Sequence, residues 1–83
     1  MSLPETADAF ARNVAERVRQ RRLALGLSKL AVARAAGLDQ RAITFVENSI
    51  RVPSIATLYR IAFALGTTVG DLVNENGSGG EAP

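Results

Sequence analysis

Eighty-three residues make one small domain, and with 47% of them apolar the chain is not wholly disordered. It holds no cysteine and no histidine, which excludes a disulfide framework, a thiolate metal site and the usual general base. The formal net charge is +2, but between Thr6 and Val73 ten bases stand against five acids, and nine of the ten are arginine.

The first helix is expected over Thr6 to Leu25. Phe10, Val14 and Val18 recur every four residues with Ala7 and Ala11 beside them, forming one apolar stripe. Ser2 to Glu5 also has the spacing of a capping box, with Pro4 in its first turn, which leaves an earlier start open. Gly26 stops the helix, and Arg17, Arg19, Arg21 and Arg22 place cations near the negative end of its dipole. Ser28 is a good N-cap for a second helix, Lys29 to Ala36, which turns Val32, Ala33 and Ala36 inward and ends at Gly37. Asp39 caps a third helix, Gln40 to about Asn48, with Ile43 and Val46 inward. Ser49 to Val52 reads as a loop. Pro53-Ser54 opens a fourth helix, Ile55 to Leu65, with Ile55, Leu58, Ile61, Ala62 and Leu65 as core residues and Gly66 as its stop. Thr68 can cap a last short helix holding Val69, Leu72 and Val73.

From Asn74 no large apolar residue occurs, so residues 1–73 form the domain and 74–83 a flexible tail. No strand pattern and no internal repeat is present: the chain reads as all-α. No run of about eighteen apolar residues exists to span a membrane, and the N-terminus lacks the pattern of a signal peptide. A cytoplasmic protein is expected.

Two short helices joined by a tight glycine turn are a device for laying one helix in the major groove of DNA. The residues that carry the pattern are Arg22, Gly26-Leu27-Ser28, Ala33, Gly37-Leu38, Ile43, Glu47, Pro53-Ser54, Thr57-Leu58, Ile61-Ala62 and Ala64-Leu65-Gly66. In this order, with this spacing and without a gap, they resemble the phage repressor/Cro type of helix-turn-helix, also called the xenobiotic-response-element family. The resemblance implies a compact five-helix, lambda-repressor-like domain that binds a palindromic operator as a homodimer. Three positions depart from the family pattern. Lys29 replaces a usual Gln, Leu30-Ala31 an acidic turn, and Ser49 a common Gly, where a left-handed backbone is costly for any other residue.

With Ile43 and Val46 facing in, the outward residues of the third helix are Gln40, Arg41, Thr44 and Phe45. Gln40 can pair bidentately with adenine, Arg41 with guanine O6 and N7, and Phe45 can pack on a thymine methyl. The alternatives are that Gln40 and Arg41 are merely solvated and that Phe45 tucks into the edge of the core. Ser28, with the amides that open the second helix, Lys29, Asn48 and Arg51 are the expected phosphate grips. The family pattern pairs Arg22 with Glu47, a bidentate fork that would lock the reading helix to the first helix. Dimer contact is placed by resemblance around Gly66, Val69, Leu72 and Val73. Tyr59 and Phe63 lie off the core face of the fourth helix, to be covered by Phe10 and the extended first helix or by a partner subunit. The extension is the slightly favoured cover.

A DNA-binding regulator is therefore the leading expectation: a restriction–modification controller, a phage-type repressor, or an antitoxin with a toxin partner. The competing class is a protein-interaction module using Phe45, Ile50, Tyr59 and Phe63. No cofactor, metal or catalytic residue is expected, because no paired carboxylates share a face and His and Cys are lacking. With no effector domain, regulation is expected to follow protein concentration.

Overall fold

The structure, a computed structural model, describes residues 6–50 and 52–73. The capping spacing of Ser2 to Glu5, Arg51 and the 74–83 tail lie outside the described residues. Five helices follow in chain order: α1 (Ala7–Ala24), α2 (Lys29–Ala36), α3 (Gln40–Glu47), α4 (Ile55–Ala64) and α5 (Val69–Val73). No strand occurs among the described residues.

Local side-chain chemistry starts every helix. Thr6 Oγ1 accepts from the Ala9 amide at 3.0 Å, and Ser28 Oγ from Ala31 at 3.0 Å. Asp39 Oδ1 accepts from Arg41 at 2.9 Å, Ser54 Oγ from Thr57 at 3.1 Å and Thr68 Oγ1 from Asp71 at 3.1 Å. Each such cap satisfies an amide with no partner inside its helix and contributes about 1 kcal/mol.

The helix ends are equally uniform. Gly26, Gly37, Ser49 and Gly66 all adopt left-handed backbone, with φ of 71°, 70°, 58° and 67°. Past each of them an amide reaches back five positions: Leu27 to Arg22, Leu38 to Ala33, Ile50 to Phe45 and Thr67 to Ala62, at 2.9–3.1 Å. This closure uses helix carbonyls that would otherwise lack a donor. Ser49 thus holds the shape that glycine gives elsewhere, with its β-carbon crowding the backbone.

The core joins Val14 and Val18 of α1, Val32 and Ala33 of α2, Ile43 and Val46 of α3, Leu58, Ile61 and Ala62 of α4, then Leu65 and Leu72. α3 packs on α1 and α2, α2 on α4, and α5 joins α1 to α4. Three expectations need correction. Ile55 is exposed rather than core, because the first position of α4 lies on the rim beside the end of α2, not beneath it. Leu72 is a core residue, so it is spent inside the protomer and cannot serve as dimer surface. Tyr59 and Phe63 are exposed, so neither Phe10 nor the rest of α1 covers them; Phe10 packs against the core instead. Among the described residues no helix is long and apolar enough to cross a membrane.

Candidate nucleic-acid interface

α3 is only eight residues long, too short to be stable without its packing. Its hold on the body is twofold. Ile43 and Val46 are buried on one side. On the same side, Arg22 of α1 donates from Nε to Glu47 Oε2 at 2.6 Å and from Nη2 to Oε1 at 2.9 Å. The third arm of that guanidinium, Nη1, donates to the Leu27 carbonyl at 3.0 Å, next to the residue that caps α2. One side chain thus fixes α1, the turn into α2 and the end of α3. The side chains of the pair are only 11% and 3% exposed, so little water screens them. The hydrogen bonds to Glu47 push the Arg22 guanidinium above its already high pKa, against the opposing effect of burial.

With that side pinned, the other side of α3 is set. Gln40 and Arg41 are exposed at its N-terminal end, Thr44 is half-buried, and Phe45 is exposed. The Arg41 side chain is 81% exposed, and its Nε lies 3.8 Å from Asp39 Oδ1, a loose surface pair that holds the guanidinium only weakly. Phe45 is 39% exposed and lines a groove with Val46, Val52, Pro53 and Thr57, between α3 and the start of α4. Among the expected phosphate grips, Ser28 is exposed and already caps α2, Lys29 is half-buried at the first position of that helix, and Asn48 is exposed just after α3. Arg51 lies outside the described residues.

Two arginines take roles that sequence reading missed. Arg21 donates to the carbonyls of Leu65 and Gly66 at 3.1 and 3.2 Å, closing the end of α4. Arg60 donates from Nη1 to the Ala36 carbonyl at 3.3 Å, closing the end of α2. A β-carbon at Gly37 would come within 3.1 Å of that Arg60 nitrogen, so glycine here serves close approach as well as the turn. The only available signal was a cation near a helix end, and each arginine finds its acceptor 24 or more residues away in sequence. Among the described residues no group of His, Cys, Asp and Glu could hold a metal ion.

A pair of short helices across a glycine turn, the second locked by core side chains and an ion pair and showing a polar end, defines a helix-turn-helix. The family model described as helix-turn-helix matches residues 18–72. The chain belongs to this family, in its phage repressor/Cro (xenobiotic-response-element) form, whose members are DNA-binding transcriptional regulators. Among solved structures it is similar to the restriction-modification controller protein C.AhdI from Aeromonas hydrophila, at 31% identity and a TM-score of 0.72, over 75% of this chain and 94% of that one. An HTH_3 family transcriptional regulator from Vibrio cholerae matches at 28% identity and a TM-score of 0.78, over 86% of this chain but 39% of that protein. The hypothetical transcription factor NHTF from Neisseria shares the fold, with a TM-score of 0.75 at 23% identity, over 88% of this chain and 84% of that one. Comparison with curated protein sequences gives no match.

Proposed function

We propose that this protein regulates transcription by binding a palindromic operator in double-stranded DNA as a homodimer, with α3 in the major groove. The observation that carries this reading is the polar end of α3. Gln40 and Arg41 are exposed there, on a helix whose opposite side is fixed by Ile43, Val46 and the Arg22–Glu47 pair. Base reading needs side chains held on a rigid support, because hydrogen bonds to base edges tolerate little misplacement. In this role Gln40 reads adenine, Arg41 reads guanine, Phe45 packs on a thymine methyl and Thr44 lies beside them. Ser28, Lys29 and the opening amides of α2, with Asn48 and Arg51, grip phosphates.

The likeness to C.AhdI, which spans nearly all of that protein, favours a restriction–modification controller over a repressor or antitoxin. Such a protein would work in the cytoplasm, on the nucleoid. Selection of bound sequences from a random DNA pool tests the proposal. A palindrome with half-site centres one helical turn apart, ~34–36 Å, is expected. A pool that shows no enrichment overturns the proposal. The exposed Ile50, Tyr59 and Phe63 support a second reading, a protein-interaction module on the same fold. No shift of random duplex at low salt would favour that reading.

A further inference from the structure

Arg41 and Phe45 stand one turn apart on α3 and so share a side of it, but they offer a duplex different chemistry. Gln40 and Arg41 bring hydrogen-bond donors. Phe45 brings none, and it is left exposed although Ile43 and Val46 beside it are buried. The groove it lines measures about 350 Å³, room for a methyl group together with the edge of its ring. Ala42 and Phe45 line it from α3, Val52 and Pro53 from the loop that follows, and Ser54 and Thr57 from the start of α4.

No charged residue lines this groove, and its two hydroxyls are turned on each other. Ser54 Oγ accepts from the Thr57 amide at 3.1 Å and donates to Thr57 Oγ1 at 3.1 Å. What the groove offers a base edge is therefore apolar surface. The major-groove edge of a base pair carries one apolar substituent, the C5-methyl group of thymine. Donors and acceptors set against such a lining lose water and gain no partner. The same methyl group stands at the same position on 5-methylcytosine. The two bases differ at C4, an acceptor oxygen against a donor amine, a difference that an apolar lining does not register.

We propose that Phe45 and this groove read the C5-methyl group itself, so that 5-methylcytosine serves in place of thymine at one position of each half-site and cytosine methylation strengthens binding there. The inference rests on the DNA-binding reading above and deepens it. What is recognised at this position is a methyl group, whichever pyrimidine carries it, and occupancy of the site comes under the control of DNA modification.

Fluorescence anisotropy with the full chain and an operator selected from a random pool tests it, through base analogues that leave the protein unaltered. Each thymine is replaced in turn, in both half-sites, by deoxyuridine, which pairs as thymine does and lacks only the methyl. At one position this is expected to raise the dissociation constant roughly 4-fold per methyl, about 15-fold for the pair, the effect of one buried carbon in each half-site. With cytosine at that position, conversion to 5-methylcytosine is expected to tighten binding by the same roughly 15-fold. In Phe45→Ala, at unchanged helical circular dichroism, both methyl effects are expected to vanish. Should that truncation unfold the domain, Phe45→Leu is expected to shrink both effects. The proposal is overturned by an operator bound equally with thymine and deoxyuridine throughout, by 5-methylcytosine that binds no tighter than cytosine, or by methyl effects that survive the change at Phe45. Each of those results leaves the DNA reading standing, whereas failure to bind any duplex sinks that reading and this inference with it.

Discussion

Ser49 bears a β-carbon in a backbone region that suits glycine, and the closure of α3 depends on that region. Left-handed backbone costs a non-glycine residue about 1–2 kcal/mol, part of which glycine forfeits through its freer unfolded chain. Ser49→Gly is therefore expected to stabilise the protein by about 0.5–1 kcal/mol, a rise in melting temperature of a few degrees by calorimetry. Arg41 presents the opposite case, a residue with almost no structural duty. Arg41→Ala is expected to melt as wild type and to lose about 1–3 kcal/mol of discrimination at one base position, read from an array of operator variants. Equal weakening on every sequence would remove Arg41 from base reading. The pH dependence that Arg22 brings lies at the alkaline extreme. A guanidinium held above its ordinary value contributes fully below that value, and its contribution is lost only as strongly alkaline pH passes through the folded-state pKa.

At the scale of elements, α3 is an eight-residue helix kept in place by others. Replacing Arg22 with Met would strand the Glu47 carboxylate and release the Leu27 carbonyl. A loss of about 3 kcal/mol in chemical denaturation is expected, with DNA affinity falling in step. Wild-type-like melting would reduce the pair to ornament. Helix starts and stops were legible in the sequence because their causes are local: Ser28, Asp39 and Thr68 act within three residues, and Gly26, Gly37 and Gly66 through their own φ. The inward stripes of α2 and α3 were legible for the same reason, since their periodicity lies within a single element. Ile55, Leu72 and the reach of Arg21 and Arg60 were not, because they depend on where one helix ends against another. Tyr59 and Phe63 were recognised as off the core face of α4, but which neighbour would cover them is a tertiary matter on which periodicity is silent.

Across the whole molecule, several of the guanidinium groups are held by the chain itself. Arg21, Arg22 and Arg60 are engaged with carbonyls and a carboxylate of their own chain, and Arg19 with Glu16 at 2.8 Å. Affinity for DNA should fall with salt by a slope of about one for each phosphate the protein neutralises. Lys29→Ala is expected to lower that slope by about one per protomer and to weaken all sequences alike, measured by fluorescence anisotropy across a salt series. The two helices at the proposed groove also begin on different atoms, a neutral hydroxyl at Ser28 and an anionic carboxylate at Asp39. In the proposed complex, the first leaves its helix end open to the DNA backbone, while the second sets a negative charge at the start of the helix proposed to read bases. Asp39→Ser would keep a hydrogen-bonding lead-in and delete the repulsion. Such a variant is expected to gain affinity for random duplex and so to lose part of its preference for the operator, read by comparing the two in one binding series.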